Sequence, residues 1–324
     1  MKRALLGALL GIVAATGVAT AQGFTPTKPV EVVVHTGAGG GNDAFIRAVM
    51  VALKKDNMLP GNFVVINKTG GGSTSAMAYL REKAGDSHTI AIYSSVWVSD
   101  ALVQEAAPLT IDKLTPVAGM VLEPGLVVVR ADSPFKTLKD FIDAAKANPG
   151  KLKQSGGSVL SRDAVVRYVL MNNTKAEWPF ISFPSGGERI AALLGGHVDM
   201  MMIEPSEAGE LIRNGKLRAV AQISDTRIAG FPDVPTIKEA GFNIPNVPQS
   251  RGVVGPPDMP AAAVAYYDNI FKRAATESPS YKEYLKSTQL ENVYLGSAEL
   301  GKFLKTYQDE LRGILKGAGV KVVR

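Results

Sequence analysis

The chain has no cysteine in its 324 residues. Disulfides, thiolate metal sites, cysteine nucleophiles and a lipidated cysteine are thereby excluded. An oxidising compartment is not, because a chain this long buries an adequate core without crosslinks. Only three histidines occur, His35, His88 and His197, far from one another and from acids at metal spacing. There is no His-Glu-x-x-His, no phosphate loop ending in Gly-Lys-Ser/Thr and no Gly-x-Ser-x-Gly elbow. Ser133-Pro134-Phe135-Lys136 has a Ser-x-x-Lys spacing but reads as a turn between strand and helix. No basic run interleaved with aromatics appears, so nucleic acid is not an expected partner. No segment reaches about 18 uninterrupted apolar residues, so no spanning helix is expected. The formal charge is +6, spread along the chain, with two of the positive groups at Lys2 and Arg3. A mild positive field favours small anions entering a cleft.

What is present begins with a targeting segment. Lys2 and Arg3 precede a short apolar run from Ala4 to Val18, and Ala19-Thr20-Ala21 fits a small-x-small cleavage site. Residues 1–21 are therefore expected to be a signal peptide, with a mature start near Gln22 and export to the periplasm.

Glycine-rich turns then recur where a strand should pass into a helix. Gly37-Ala38-Gly39-Gly40-Gly41-Asn42-Asp43 follows the apolar run Val30 to His35, and Thr69-Gly70-Gly71-Gly72-Ser73-Thr74 follows Phe63 to Asn67. Ser155-Gly156-Gly157-Ser158 and Ser185-Gly186-Gly187-Glu188 repeat the pattern. Glycine permits positive φ and close approach of the backbone to a ligand. A helix start supplies unpaired N–H donors and partial positive charge. Several such turns in one cleft make a site for an anion such as a carboxylate. The first turn is not a dinucleotide fingerprint: Asn42 stands where the third glycine should be, and the next strand ends in Asn67-Lys68 without an acid.

Periodicity predicts strands at 30–35, 63–67 and 89–93, with helices at 42–55 and 73–83 between them, the pattern of a parallel sheet covered by helices. Two β-rich stretches, 117–121 and 126–130, are broken by Glu123-Pro124-Gly125, a crossing between domains. The pattern restarts with helices at 138–147, 162–171, 188–194 and 207–214, and with strands at 151–155, 180–183, 198–203 and 217–223. The loop Gly230 to Gly241 is expected to carry a short helix, followed by a return strand at 250–254 and helices at 261–276, 279–288 and 298–316. The expected fold class is α/β, with two domains, 22–123 plus 251–324 and 124–250, and a cleft lined by strand C-termini.

The candidate ligand-binding residues lie on those turns. Thr36, Asn42, Ser73, Thr74, Ser94 and Ser155 either donate to a ligand or cap turns. Gly39, Gly40, Gly71, Gly72, Gly156 and Gly186 would let backbone amides approach it, with Ser158 and Ser185 beside them. Asp43 either joins the site or serves as a first-turn acid that fastens the glycine loop. Trp97 either walls the cleft or packs in the core. Trp178 and Met200-Met201-Met202 read as packing. His35, at a strand end, is the histidine to watch, although a packed or capping role is the stronger reading.

Together these segments resemble the Bug family, the periplasmic solute-binding proteins of tripartite tricarboxylate transporters. The resemblance rests on both glycine turns, on Ala191-Ala192-Leu193-Leu194-Gly195-Gly196-His197-Val198-Asp199 and on Gly215-Lys216-Leu217-Arg218. It also rests on Phe231-Pro232-Asp233-Val234-Pro235-Thr236-Ile237-Lys238-Glu239-Ala240-Gly241 and Val254-Gly255-Pro256-Pro257, and it spans the mature chain. It implies a type II-like Venus flytrap with two crossover strands and C-terminal helices packing on the first domain. It implies capture of a small organic carboxylate for membrane permease subunits, no cofactor, no metal, no catalysis and a monomeric protein. A ligand sensor feeding a signalling partner is the alternative. Three departures concern the ligand. Thr36 replaces an aromatic wall. Arg162 takes a position where the family pattern has histidine, and either clamps a second carboxylate or forms an ordinary ion pair. Glu204 falls where a small amide or hydroxyl is usual, and either repels a dicarboxylate and favours a ligand carrying an amine or hydroxyl, or is ion-paired.

Overall fold

The computed structural model describes residues 23–183, 185–247 and 249–324. The expected signal peptide lies outside them. The first lobe opens with β1 (Val30–Val34), α1 (Gly41–Lys55), β2 (Phe63–Asn67), α2 (Thr74–Glu82), β3 (Thr89–Ser94), α3 (Ser95–Val103) and β4 (Thr115–Glu123). The second holds β5 (Gly125–Arg130), α4 (Leu138–Ala147), β6 (Gln154–Gly156), α5 (Arg162–Thr174), β7 (Phe180–Ser182), α6 (Gly186–Leu194), β8 (Met200–Ile203), α7 (Pro205–Arg213) and β9 (Leu217–Ile223). The chain then returns through β10 (Gln249–Gly255), α8 (Ala261–Glu277), α9 (Pro279–Thr288), β11 (Glu291–Leu295) and α10 (Ser297–Gly317).

The first sheet runs β11-β4-β10-β3-β1-β2 and the second β7-β6-β8-β5-β9. Only part of the first sheet is parallel. β1 pairs parallel with β2 and β3, but β10 runs antiparallel to β3 and β4. A strand returning from the other lobe must enter from the opposite end, which makes the sheet mixed. Gln249 and Ser250 pair with Glu123 and Leu122, so the two crossings lie side by side.

β-branched residues make both sheets, and alternation distributes them between two faces. On β5, Leu126 and Val128 pack with Leu193, Ala208 and Phe231, while Val127 and Val129 face Phe141, Trp178 and Met200. On α1, Phe45, Val49 and Leu53 recur at helical spacing and are buried against the first sheet. Each such side chain contributes about 1.5–3 kcal/mol when fully buried. Thr137 and Asp140 form a reciprocal capping box that starts α4.

Four expectations change. The first lobe has an additional helix, α3, directly after β3; Trp97, Val98, Ala101 and Leu102 are all buried, so it lacks the one-sided stripe that marks a surface helix. β11 adds a strand against β4. The loop from Gly230 to Gly241 contains turns rather than a helix. Pro232 and Pro235 lack donors there, and Gln222 Nε2 donates to the carbonyls of Phe231 and Val234 at 2.7 Å each, leaving less for a helical ladder. The C-terminal helices also reach beyond the first lobe. Leu300, Leu304, Leu311 and Leu315 of α10 join the core that includes Val127 and Phe141, and Asn172 Nδ2 of α5 donates to Gly317 O at 2.8 Å.

Candidate functional site

The C-terminal ends of the parallel strands meet around a cleft of about 520 Å³. From the first lobe, the turn after β1 brings His35, Thr36, Gly40, Gly41 and Asn42 to it, and the turn after β2 brings Thr69, Gly70 and Gly72. The end of β3 adds Ser94 and Val96. From the second lobe come Ser158, Ser161, Arg162 and Asp163 after β6, Ser182, Phe183, Ser185, Gly186 and Arg189 around β7 and α6, and Met202, Glu204 and Glu207 around β8. Gln249 and Arg251 of the return strand complete it.

Ten of the expected ligand residues line this cleft: Thr36, Gly40, Asn42, Gly72 and Ser94 on one wall, and Ser158, Arg162, Ser185, Gly186 and Glu204 on the other. The rest stand behind it. Asp43 accepts from Gly39 N, Arg47 Nε and Asn67 Nδ2 at 2.9 Å each, which ties the glycine loop to the neighbouring strand. Ser73 donates to Asp100 Oδ2 through N at 2.7 Å and Oγ at 2.8 Å. Thr74 Oγ1 donates to Gly71 O at 2.8 Å. Ser155 is fully buried, and a side chain on Gly156 would collide with Phe180 and Asp163. Trp97 is also fully buried, and its Nε1 donates to His35 Nδ1 at 2.9 Å.

That bond sets the state of His35. Burial, reinforced by the Arg251 charge, lowers its pKa to about 3, so the ring is neutral. With Nδ1 accepting from Trp97, the ring hydrogen resides on Nε2.

The first wall is otherwise uncharged, and helix starts face the cleft from both walls. Gly40, Ser94, Ser161 and Glu204 are the N-cap residues of α1, α3, α5 and α7; all four line the cleft, and none accepts a side-chain capping bond. In α1, α3 and α5 the first-turn N–H groups lack an acceptor one helical turn back, whereas α7 starts with Pro205, which has no N–H, and Glu207 N donates to Glu204 O at 3.0 Å.

The second wall, joined by Glu123 and Arg251 of the crossing strands β4 and β10, is a network of charges. Arg162 Nη2 donates to Glu204 Oε1 at 3.0 Å and Nη1 to the carbonyl of Glu123 at 2.8 Å. Arg251 Nε donates to Glu123 Oε2 at 2.8 Å, and Ser206 Oγ to Glu123 Oε1 at 3.0 Å. Arg189 lies 3.7 Å from Asp163, 3.9 Å from Glu204 and 3.6 Å from Glu207. Burial works to raise the Glu204 carboxyl, but Arg162, Arg189 and Arg251 outweigh it and hold it below its ordinary value. Glu207 goes the other way: burial and the neighbouring Glu204 push it up to about 7. Arg162 and Glu204, two of the three departures singled out in the sequence, thus pair with each other.

Residues 47–320 match the sequence profile described as the tripartite tricarboxylate transporter family receptor. The chain belongs to this receptor family. A relative from Cupriavidus necator, the UPF0065 protein in the gbd 5′ region, is 29% identical over 317 residues, covering 97% of this receptor and 94% of the relative. The solved periplasmic binding protein BugD superposes with a TM-score of 0.83 at 22% identity, covering 92% of this receptor and 99% of BugD. MatC from Rhodopseudomonas palustris, solved with bound malate, gives 0.80 at 23% identity, covering 90% and 100%. The receptor therefore has the two-lobed fold of periplasmic binding proteins, and its family role is solute binding.

Four charged residues of the receptor's cleft escaped the sequence reading: Asp163, Arg189, Glu207 and Arg251. A signal existed for the last. Arg251 interrupts an apolar return strand, and Glu123 closes another; charges in buried strands call for partners. Among the described residues no acid–histidine cluster suits a metal, and no helix is long and apolar enough to cross a membrane.

Proposed function

We propose that this receptor captures a small organic carboxylate in its cleft, in the periplasm and as a monomer, and delivers it to the membrane permease subunits of a tripartite tricarboxylate-type transporter. The observation that carries the reading is the convergence of four helix N-termini without side-chain caps on one cavity between two lobes. Each presents the positive end of a helix dipole, and α1, α3 and α5 add first-turn N–H donors, whereas α7 begins with Pro205. A volume of about 520 Å³ suits a small acid, and MatC, which shares the fold, holds malate. Thr36, Gly40, Asn42, Gly72 and Ser94 would contact the ligand from one lobe, and Ser158, Ser185 and Gly186 from the other. Contacts drawn from both lobes are complete only when the lobes close, so the ligand favours the closed form. The reading includes no chemical step.

The test is a thermal-shift screen of the mature chain, unfolded and refolded to strip copurified ligand, against mono-, di- and tricarboxylates, amino acids and aromatic acids. A ligand at about 100 times its Kd adds about 2.7 kcal/mol of stability. A shift confined to carboxylates, with the ligand recovered unchanged, supports the reading. No shift with any acid, or a chemically altered ligand, overturns it.

A further inference from the structure

Glu207 has no part in the contacts above, yet it occupies a place where an anion belongs. It lies in the first turn of α7. Its carboxylate rests on the Cα of Gly186, at the start of α6, where any side chain would collide with it. Its other oxygen faces the opposite lobe: a Cβ on Gly41, at the start of α1, would stand 3.4 Å from Oε1. One carboxylate of the protein therefore bridges helix starts from both walls.

The surrounding charges are already matched. Arg251 of β10, which also borders Gly41, is held by Glu123 of β4. Arg162 is held by Glu204 at the head of α7, and Arg189 of α6 is shared among Asp163 of α5, Glu204 and Glu207. Three guanidinium groups face four carboxyls, so the formal balance is one negative charge before any ligand enters. Glu207 is the least satisfied of the four acids. Its side chain is 24% exposed, against 9% or less for Glu204, Asp163 and Glu123, and its nearest guanidinium nitrogen is 3.6 Å away, whereas Asp163, 3.7 Å from the same arginine, also accepts from Gly157 N at 2.9 Å.

We propose that Glu207 is a built-in carboxylate of the binding site, and that this receptor selects a ligand carrying one carboxylate and one ammonium group over a dicarboxylate. The inference rests on the carboxylate reading given above. The ligand's carboxylate lies against the first lobe, beside Ser94 and the Gly70 and Gly72 backbone of the second glycine turn, and its ammonium faces Glu207. A second carboxylate would meet an acid of like charge in a site with no unpaired guanidinium, whereas an ammonium completes the balance. The same geometry couples binding to a proton. Burial and Glu204 place Glu207 near half-ionisation at neutral pH. An arriving ammonium favours the ionised form and releases a proton; an arriving carboxylate favours the protonated form and takes one up. The charged groups packed around Glu207 are Glu204, Arg189, Asp163, Arg251 and Glu123.

Isothermal titration near neutral pH, in two buffers of different ionisation enthalpy, reads both affinity and proton count. The probes are short α,ω-dicarboxylates, ω-amino and ω-hydroxy carboxylates of matched length, plain monocarboxylates and α-amino acids. An aminocarboxylate should bind at least about tenfold more tightly than its matched dicarboxylate, with proton release. Glu207→Gln should erase both the preference and the release. The proton count is taken on the wild-type receptor, so a variant that fails to fold hides nothing. A dicarboxylate, hydroxy acid or plain monocarboxylate that binds as tightly as any aminocarboxylate, or binding without proton release, overturns the inference and leaves the carboxylate reading intact. Absence of binding by every carboxylate overturns that reading, and the inference with it.

Discussion

The first-lobe wall of the cleft is made of glycine turns, hydroxyls and a neutral histidine, whereas the opposite wall, where the second lobe meets Glu123 and Arg251 of the crossing strands, is made of guanidinium and carboxylate groups locked to one another. Both walls meet the same demand, to stay fixed around a cavity that must exchange its contents. The first does so with backbone geometry, and its supports lie behind it: Asp43 holds the loop after β1 and Asp100 the turn after β2. The second does so with mutual charge satisfaction at the surface of the cavity itself. The difference implies a division of labour. Neutral donors on one side accept a carboxylate generically, and charges on the other decide what else the ligand carries.

Breaking the frame of the charged wall should cost most. Arg251→Met leaves Glu123 buried without its guanidinium, with a side chain only 2% exposed. Removing one partner of a buried ion pair destabilises by about 3–5 kcal/mol, which urea unfolding would read directly. A loss below about 1 kcal/mol would mean that the pair behaves as a solvated one. The corresponding break in the neutral wall acts on binding. A Cβ on Gly40 would stand 2.9 Å from Thr36 Cβ and 3.1 Å from Gly37 O. Gly40→Val should therefore displace the turn and lower affinity at least about a hundredfold, equivalent to about 2.7 kcal/mol, while circular dichroism stays unchanged. Unaltered affinity would remove the first turn from the site.

The two walls should also answer pH with opposite signs. His35 has a folded pKa of about 3 against 6.5 for the free side chain. The unfolded chain binds more protons between those values, so the His35 contribution is lost as pH falls from about 6.5. Glu207 has a folded pKa of about 7 against 4.5. Here the folded chain binds more protons, so stability is lost as pH rises from 4.5 to 7. Each slope approaches about 1.4 kcal/mol per pH unit at most. The difference in unfolding free energy between wild type and Glu207→Gln should grow in favour of the variant as pH rises from 4.5 to 7. The wild-type advantage over His35→Asn should shrink as pH falls from 6.5 toward 3. Parallel rather than opposed trends would refute the contrast between the walls.

Much of the neutral wall was legible in the sequence because local chemistry makes it. Gly72 has φ of +67° and is pressed against Asp100, so a glycine pattern there has a backbone reason. The charged wall depends on residues brought together by topology. Arg162 and Glu204 are 42 positions apart and Arg251 and Glu123 are 128 apart, and no local pattern joins them. Glu204 and Glu207 look equivalent in sequence, yet one is held by two arginines while the other lies on a glycine between two helix starts. Buried elements were hidden for a related reason. The helix Ser95–Val103 is buried nearly all round, polar Ser99 and Asp100 included, so it carries no one-sided apolar stripe for periodicity to report.

The smallest expected effect on stability isolates the ligand from the fold. Thr36 Oγ1 is buried at the edge of the cleft and has no hydrogen-bond partner among the described residues, although Thr36 lines the cavity. An unsatisfied buried hydroxyl costs about 1–3 kcal/mol, a penalty that a ligand oxygen would lift. Thr36→Val keeps the shape and removes the hydroxyl. The empty receptor should then be equally stable or more stable by up to about 1 kcal/mol, while affinity for the carboxylate falls by roughly tenfold. Denaturant unfolding of the ligand-free chain and titration calorimetry separate the two quantities. Loss of stability in the empty form would show that the hydroxyl serves the turn. Gain in stability with lost affinity would place it on the ligand, and would make the neutral wall a surface whose polar groups are completed only by what it binds.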